Sequence, residues 1–438
     1  MSPDPASLVQ FAGLFALAGF AVATARADWR ADSDARIEKL RKGDFTLLLA
    51  DAAGRPVAGA QVEFSLKRHD FLFGTAIAYR PFADPTAQGE AYRRFILDHF
   101  SALVCENEMK WYFTEAKPGQ LNYAPADALL AFAEKNALRM RGHCLFWEKA
   151  EFVQPWLAGL KGDALAASVD ARLKSAVGRY AGRLVGWDVD NELLDGSFYR
   201  ERLGAAGIAR MFKEAAALDP KAVLFVNEYG ILGVPEKTER FIALIRELQA
   251  LGAPVGGIGI QSHDLDRLIP GAVSEHEKDR PEWLLRHPLT PEQFIATLDR
   301  LSAATGLPVH LTEASAKLPD PAQRAEALDI LYRVGFGHPA VGAVMLWGFE
   351  ASTHWMGPDA ALLAADGTLT EAGRHVDHLL REVWTTRGRA TADQAGRLGF
   401  RGFYGIYHLR ITLPGGRVVE RDVNLDKANG ATAQTVQL

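Results

Sequence analysis

Two glutamates in this sequence each follow directly on a short apolar run. Glu192 closes the run LVGWDVDNE, and Glu313 closes PVHLTE. If both runs are strands whose C-terminal ends lie on the same side of the fold, the two carboxyls can flank a single bond. Hydrolysis of a glycosidic bond requires such a pair. One carboxyl then protonates the leaving oxygen, while the other meets the oxocarbenium-like carbon, either as a nucleophile about 5 to 5.5 Å away or through a water across a wider gap. A lone strand-end glutamate is better explained as a salt-bridge partner, and spacing does not tell which of the two would be the acid.

Residues beside the two glutamates favour the catalytic interpretation. Asn191 precedes Glu192 and can hydrogen-bond a sugar hydroxyl next to the reacting carbon. His263 ends the neighbouring strand candidate and can hold Glu313 in its ionised form. The pair therefore has the neighbours that acid and nucleophile need.

Further polar and aromatic residues follow the other apolar runs, and they are too numerous to be explained as core packing. They are Asn107, Lys110, Trp111, His143, Trp147, Asn227, Glu228, Gln261, Trp347 and Trp355. The four tryptophans offer flat apolar faces on which a pyranose ring can lie. The hydroxyls of that ring would then meet Lys110, Asn107 and Gln261. These residues predict a carbohydrate site, although each tryptophan alone would be read as core.

The elements that must position these residues alternate between strand and helix. Short apolar runs are separated by stretches with helical spacing, such as the face formed by Phe241, Leu244, Ile245 and Leu248. The strand candidates are centred at Phe71, Val104, Met140, Val185, Leu224, Ile258, Val309 and Val344. Eight parallel strands with crossover helices predict an α/β fold, a (β/α)8 TIM barrel over residues 70–385. A doubly wound open sheet is the competing fold, but no GxGxxG follows the first strand.

The two flanks of the barrel have the alternating pattern of β-strands. In the first flank, residues 43–69, Val62, Phe64 and Leu66 alternate with polar residues. In the second, residues 398–436, Tyr407, Leu409, Ile411 and Leu413 do the same. Neither flank alone could bury enough surface to be stable, so we expect them to pack together as one small β-sandwich, joined to the barrel by residues 385–397. Phe403 and Tyr404 hint at a carbohydrate-binding role, but a stabilising clasp is at least as well supported.

The first 27 residues predict a secretory signal peptide. The apolar run Phe11 to Ala23 is short for a membrane span, and Ala25-Arg26-Ala27 has the small-x-small pattern of a cleavage site. We therefore expect export to the periplasm or the medium, without stable membrane insertion. Because no Lys or Arg precedes the apolar run, a retained anchor is the alternative.

Composition narrows the possible partners. The 438 residues include 49 Lys and Arg against 54 Asp and Glu, a net charge of −5 and the profile of a folded globular protein. This slightly acidic balance argues against a nucleic-acid partner. No CxxC, HxH or HExxH spacing is present, so we expect neither metal nor cofactor. Cys105 and Cys144 are expected to be two buried thiols, although export would allow them to pair.

The strand-end motifs resemble those of glycoside hydrolase family 10, the endo-β-1,4-xylanases, over about Phe71 to Trp384. The motifs occur in the family's order as Glu106-Asn107-Glu108-Met109-Lys110-Trp111, Arg141-Gly142-His143 with Trp147, Trp187-Asp188-Val189 with Asn191-Glu192, Gly259-Ile260-Gln261-Ser262-His263, Thr312-Glu313, and Trp347-Gly348 with Trp355. The resemblance implies a (β/α)8 enzyme that cleaves β-1,4-xylan with retention of configuration and without a cofactor. It implies Glu192 as the acid/base and Glu313 as the nucleophile. The places it implies for sugar binding or for positioning the nucleophile are Asn107, Lys110, His143, Trp147, Asn191, Gln261, His263, Trp347 and Trp355.

Several positions near the site depart from the family's pattern. They are Glu148 in place of a His, Cys144 in place of a Thr, Asp190 in place of an apolar residue, Ala314-Ser315 in place of Leu-Asp, and Asn227-Glu228-Tyr229-Gly230 in place of Asn-Asp-Tyr-Asn. An added carboxylate at Glu148 or Asp190 can shift the pKa of the acid, disfavour acidic xylan decorations, or be solvated. Three alternatives therefore stay open. They are a retaining glycosidase for another β-linked glycan, a catalytically idle carbohydrate-binding barrel, and a metal-dependent hydrolase that uses His143, His263 and Glu313.

Overall fold

The structure is a computed structural model that describes residues 28–272, 289–427 and 433–438. The expected signal peptide, residues 1–27, lies outside the described residues. Within these ranges no helix combines the length and the apolarity needed to cross a bilayer.

The described chain begins with a helix that the sequence patterns did not predict. Helix α1 spans Trp29–Arg41, and the side chain of Asp28 caps it by accepting from the backbone N–H groups of Arg30 and Ala31. Arg41 at its end donates to the carbonyls of Phe336 and Val341, at 2.7 and 2.8 Å. The helix is thereby tied to the barrel, and strands β1 (Lys42–Ala50) and β2 (Gln61–His69) follow it.

A closed parallel barrel fills the middle of the chain and confirms the predicted (β/α)8 fold. Its strands are β3 (Leu72–Ile77), β4 (Ala102–Cys105), β5 (Arg139–Gly142), the short β6 (Phe146–Trp147), β7 (Gly186–Asn191), β8 (Val223–Tyr229), β9 (Gly257–Gln261), β10 (Val309–Ala314) and β11 (Val341–Leu346). They pair in the order β5-β4-β3-β11-β10-β9-β8-β7, and β5 also pairs with β7, which closes the ring. The strand ends therefore meet at one mouth.

Helices surround the barrel and bury their apolar faces against it. They are α2 (Tyr79–Ala83), α3 (Ala87–His99), α4 (Trp111–Thr114), α5 (Ala124–Lys135), α6 (Pro155–Ala158), α7 (Gly162–Tyr180), α8 (Phe198–Leu218, broken at Gly204), α9 (Pro235–Ala250), α10 (Pro291–Thr305), α11 (Pro321–Gly337) and α12 (Glu371–His378). In α9 the predicted face of Phe241, Leu244, Ile245 and Leu248 is buried. Strand residues are buried on both faces, as expected where helices cover a parallel sheet.

Close packing inside the barrel requires glycine at one strand end. A Cβ atom on Gly142 would lie 2.2 Å from the ring of Trp187, which is fully buried. Any side chain at this position would displace that ring, and His143 follows it directly. The glycine therefore lets β5 deliver His143 beside β7.

The two flanks pair with each other in two small sheets, as the predicted fold class requires. The C-terminal strands are β12 (Arg387–Thr391), β13 (Arg397–Phe403), β14 (Gly405–Thr412), β15 (Val418–Leu425) and β16 (Gln434–Gln437). One sheet has the order β13-β1-β16, and the other has the order β12-β2-β14-β15. Their shared core contains Phe45, Leu47, Val62, Tyr407 and Leu409.

Two details of the flanks differ from the expectation. Strand β12 lies in the stretch expected only to join the flank to the barrel, and it pairs antiparallel with β2. Phe403 is buried, with its ring 5.9 Å from that of Phe336 in the barrel helix α11. It therefore fastens the sheets to the barrel and offers no face to a sugar.

Candidate active site

Glu192 directly follows β7 at the barrel mouth. Its backbone N–H donates to the carbonyl of Asn227 at 2.9 Å. Its Oε1 accepts from Gln261 Nε2 at 3.0 Å and from Asn191 Nδ2 at 3.3 Å. Its Oε2 lies 3.2 Å from Lys149 Nζ. The carboxyl is thus held in place while its second oxygen faces a cation.

Glu313 ends β10 and is held by a different set of neighbours. Asn227 Nδ2 donates to its Oε1 at 2.6 Å, and His263 Nε2 lies 3.3 Å from its Oε2. Burial alone would raise the pKa of this carboxyl, but His143, His263 and Lys110 together outweigh burial and lower the pKa below its usual value. Glu313 is therefore ionised at neutral pH, which a nucleophile requires.

Both glutamates have backbone conformations that are rare for residues with a side chain. Their φ angles are 62° for Glu192 and 54° for Glu313, and within the described residues only Ala137 shares this feature among non-glycines. Such a conformation costs about 1 to 3 kcal/mol and persists where surrounding contacts enforce it. Strain of this kind clusters at functional sites, and here it aims both carboxyls from strand ends.

Asn227 connects the two glutamates, and it was named in the sequence only as a strand-end residue. Its Nδ2 donates to Asn191 Oδ1 at 2.8 Å as well as to Glu313, and its Oδ1 accepts from Thr312 Oγ1 at 2.6 Å. A Cβ on Gly259 would lie 2.2 Å from this Oδ1, so the neighbouring strand leaves room for the amide. The sequence signal was the position of Asn227 near the end of β8, which neighbours β7 and lies two strands from β10.

Two buried charged residues, Asp188 and Arg141, hold His143 in place. His143 Nδ1 lies 2.9 Å from Asp188 Oδ2, and Asp188 also accepts a two-pronged contact from Arg141. Burial opposes ionisation of Asp188, but Arg141 and His143 lower its pKa to about 2. Because His143 lies 4.0 Å from Glu313, this ion cluster fixes the imidazole that faces the second carboxyl.

Lys110 and Asn107 lie together at the end of the β4 segment. Lys110 Nζ is 3.4 Å from Asn107 Oδ1, which also accepts from the hydroxyl of Tyr112 at 2.8 Å. Lys110 is only 6% exposed, and its ammonium lies 5.7 Å from the centre of the Trp347 ring. These two predicted binding residues therefore share one part of the mouth with Trp347.

Two of the four tryptophans do not offer the flat faces predicted for them. Trp111 is buried, and its indole N–H donates to Glu115 Oε2 at 2.8 Å. Trp147 stacks on Phe152 with ring centres 3.7 Å apart, and the Lys110 ammonium lies 4.7 Å from the centre of the same ring. Aromatic packing thus covers both rings. The Trp147 Nε1 is buried and has no hydrogen-bond partner among the described residues.

Of the other two tryptophans, only Trp355 keeps an exposed ring, because Trp347 is also buried. Trp347 is 7% exposed and meets the His143 ring edge to face at 5.0 Å. Trp355 is 49% exposed, with its ring 4.8 Å from that of His263. Ser315, which the sequence marked only as a departure from the family pattern, lies 3.3 Å from Trp355 Nε1 and 3.4 Å from His263 Nδ1. The serine at this departure from the family pattern therefore contacts two predicted site residues.

The two added carboxyls lie inside the protein and are not solvated. Glu148 is 1% exposed and accepts from the backbone N–H groups of Tyr199 and Arg200, at 2.8 and 3.0 Å, at the start of α8. Asp190 is fully buried beside Glu148. Burial, followed by the charge of Glu148, raises the pKa of Asp190 well above its usual value. Neither carboxyl is therefore an exposed charge that would repel acidic decorations.

The remaining polar groups give little support to a metal site. The parts of the chain described here contain no group of three or more His, Cys, Asp or Glu residues placed to hold an ion. Cys105 and Cys144 are buried and unpaired, as preferred from the sequence, and burial raises the pKa of both thiols. The arrangement is suited to acid–base and nucleophilic chemistry by two carboxyls.

Known proteins resemble both the sequence and the fold. A family model described as Glycosyl hydrolase family 10 matches residues 64–371. Anti-sigma-I factor RsgI6 of Acetivibrio thermocellus is 37% identical over 410 residues, which are 94% of this chain and 50% of that protein. Endo-1,4-beta-xylanase 1 of Arabidopsis thaliana is 35% identical over 405 residues, 92% of this chain and 40% of that protein. The chain thus spans half or less of the length of these two relatives.

Solved structures show the same barrel. The crystal structure of xylanase 10B from Thermotoga petrophila RKU-1 in complex with xylobiose aligns with a TM-score of 0.61 at 24% identity, covering 72% of this chain and 95% of that one. Native xylanase 10B from Thermotoga maritima gives the same score and identity. The matched part corresponds in extent to the barrel, and the likeness is one of fold.

Proposed function

Because this chain belongs to glycosyl hydrolase family 10, we propose that it is a retaining endo-β-1,4-xylanase that cleaves xylan-type polysaccharides through a covalent glycosyl-enzyme intermediate. In this proposal Glu313 is the nucleophile and Glu192 is the acid/base. The observation that carries the proposal is the amide bridge between them. Asn227 donates to Glu313 and to Asn191, and Asn191 donates to Glu192, so both carboxyls belong to one connected site.

The first half of the reaction uses the two carboxyls in opposite states. Glu313, ionised because His143, His263 and Lys110 outweigh its burial, attacks the anomeric carbon. Glu192 gives its proton to the departing glycosidic oxygen as the carbon–oxygen bond breaks. The products of this step are a free sugar hydroxyl and a sugar bonded to Glu313.

The second half restores the enzyme. Glu192, now a carboxylate, takes a proton from a water molecule whose oxygen attacks the same carbon, and the bond to Glu313 breaks. Because the carbon is attacked twice, the product keeps the original configuration. The amide groups of Asn191 and Asn227 hold the two carboxyls and the sugar in register through both steps.

Substrate contacts follow from what the mouth leaves available. Trp355 has an exposed ring on which a pyranose can lie. Lys110 and Asn107 present polar atoms beside Trp347. Gln261, His143 and His263 position the carboxyls and border the reacting carbon.

Incubation with a panel of β-linked polysaccharides tests this proposal. We expect release of oligosaccharides from β-1,4-xylan, with the β configuration retained in the first product seen by proton NMR. The variant Glu313→Ala should lose turnover by about 10⁴-fold or more while still binding xylo-oligosaccharides. Glu292→Ala, at an exposed position on α10, is the matched control.

The outcomes separate the candidate functions. Cleavage of another β-linked glycan in preference to xylan would change the proposed substrate but keep Glu313 as the nucleophile and Glu192 as the acid/base. Binding without any product from the wild-type protein favours the idle barrel. Inverted product, or unchanged turnover in Glu313→Ala, contradicts the mechanism.

We also propose that the protein is exported to the periplasm or the medium after removal of residues 1–27. The support is the N-terminal apolar run and the position of Asp28, which caps α1 and directly follows the predicted cleavage site. Cleavage there keeps the cap in the mature chain. Mass spectrometry of the secreted protein should find Asp28 at its N-terminus, and an intact N-terminus in the membrane fraction would contradict export.

A further inference from the structure

Lys149 contacts the proposed acid/base, although no sequence motif selected it. Its Nζ lies 3.2 Å from Glu192 Oε2, and its side chain is about a quarter exposed, against 7% for the Glu192 side chain. Gln261 and Asn191 both donate to Oε1. Oε1 thus has two N–H donors, and Oε2 is the carboxyl oxygen that lies beside Lys149.

The backbone next to Lys149 is fixed by its neighbour Glu148. The Glu148 N–H donates to the carbonyl of Asn191 at 3.1 Å, and its carboxyl caps α8 through Tyr199 and Arg200. A Cβ on Gly196 would lie 2.4 Å from the Glu148 side chain, so the opposing loop is also packed tightly. The buried glutamate thus anchors the loop from which Lys149 reaches Glu192.

Other charged groups near Lys149 do not replace it at Oε2. Asp195 lies close enough for Lys149 to help lower its pKa, but its hydrogen-bonded partner is Lys237, at 2.5 Å. Lys237 also lies 3.4 Å from Glu228, whose pKa burial raises to about 7. The Lys149 ammonium packs 4.9 Å from the centre of the Tyr229 ring. Within the described residues, Glu192 forms its ion pair with Lys149.

We propose that Lys149 is a positioning residue that stabilises the negative charge appearing on Glu192 as it protonates the leaving group. This inference rests on the proposed function. In the first half-reaction the Glu192 proton moves to the glycosidic oxygen, the carbon–oxygen bond breaks, the Glu313 oxygen bonds to the carbon, and Glu192 becomes a carboxylate. A cation at 3.2 Å stabilises that product more than the neutral acid, so it lowers the barrier.

The same cation opposes the second half-reaction. There Glu192 begins as a carboxylate and gains a proton from water, so the stabilisation by Lys149 is partly lost in the transition state. Lys149 thus speeds cleavage of poor leaving groups and slows release of the enzyme-bound sugar. This opposite sign distinguishes an effect on charge from an effect on folding.

Two substrates with different leaving groups test the proposal. A xylo-oligosaccharide needs protonation of its leaving sugar, whereas 2,4-dinitrophenyl β-xylobioside has a leaving group that departs without help, so its turnover is limited by the second step. For Lys149→Gln we expect kcat/KM on the oligosaccharide to fall about tenfold, while kcat on the aryl substrate stays unchanged or rises up to about fivefold. Lys149→Arg, which keeps the charge, should recover most of the oligosaccharide rate.

The matched control is Lys174→Gln, which makes the same charge change at an exposed position of α7 and should leave both substrates unaffected. A thermal melt shows whether each variant is folded. Equal losses of Lys149→Gln on both substrates, or no loss on the oligosaccharide, overturn the role of Lys149 alone. A wild-type protein that hydrolyses neither substrate overturns the proposed function together with it.

Discussion

The barrel mouth and the flanking sheets use opposite means of holding their residues. At the mouth, ionisable side chains are nearly fully buried, including Glu192, Glu313, His143 and Lys110, and each is held by polar partners. In the flanks the interior is apolar, and ion pairs such as Lys67 with Asp422 lie on the surface. Burying charge is unfavourable unless it is paired, so the mouth gives up stability for chemistry while the flanks supply stability. Changes in the two regions should therefore separate rate from folding.

Among the residues that hold the two glutamates in place, the largest effect on rate should come from Asn227→Ala. It removes the donor to Glu313 and the link to Asn191, at 2.6 and 2.8 Å. Loss of one such preorganised donor costs about 10²- to 10³-fold in kcat. We expect kcat on xylan to fall by that factor while the melting temperature changes by only a few degrees.

The matched variant at the mouth is Thr312→Val, which removes only the hydrogen bond to the far side of the same amide. Its kcat should fall much less. If Asn227→Ala loses stability in proportion to rate, the mouth is not the separable region that the comparison describes.

The largest effect on stability should come from Leu409→Ala in the flank. Leu409 is fully buried in β14 and pairs with Phe64 of β2. Leucine-to-alanine changes in a core cost about 2 to 5 kcal/mol of the free energy of unfolding. Because β2 and β14 come from opposite ends of the chain, limited proteolysis should then cut near Val57, while kcat of the uncut protein stays the same.

Arg410→Ala, the exposed neighbour on the same strand, is the control and should change the free energy of unfolding by less than about 0.5 kcal/mol. Full resistance near Val57 in Leu409→Ala would contradict the view that the two flanks stabilise each other.

Short patterns in the sequence were enough to predict the barrel and the residues at its strand ends. Apolar runs located the barrel strands, and position at strand ends selected Glu192, Glu313 and their neighbours, because the ends of parallel strands meet whatever the loops do. Helix α1 was missed because its apolar face is weak and Arg41 fastens it to carbonyls distant in sequence. Lys149 was missed, and Ser315 was noticed only as a departure from the family pattern, because long-range contacts bring both side chains to the site.

The tryptophans show what the sequence could not predict about the site. Their placement near the mouth was predictable, but the exposure of each ring depends on partners such as Phe152, which stacks on Trp147. The added carboxyls Glu148 and Asp190 show the same limit. The sequence reveals their charge, but it does not reveal their burial or the helix N–H groups that donate to Glu148.

A smaller effect, on the pH dependence of stability, is expected from Asp190→Asn. Burial and Glu148 raise the pKa of Asp190, so the folded protein keeps a proton that the unfolded chain releases near pH 4. Its contribution to stability is therefore full below that pH and is lost as pH rises towards the raised pKa. Urea unfolding from pH 4.5 to 8 should show a steeper decline for the wild type than for Asp190→Asn, whose amide stays neutral and can donate to Glu148. Equal slopes would mean that the folded protein does not hold Asp190 in its protonated form.

The smallest effect should follow from Trp355→Ala. The ring is half-exposed, so its loss removes little packing, and the free energy of unfolding should change by less than about 0.5 kcal/mol. A sugar that lies on this ring would lose about 1 kcal/mol of binding, which raises KM for xylo-oligosaccharides about fivefold. Trp355→Phe should recover part of that loss, because it keeps an apolar face. If KM is unchanged, Trp355 only shields His263, and the mouth binds substrate mainly through the buried polar residues that also set its chemistry.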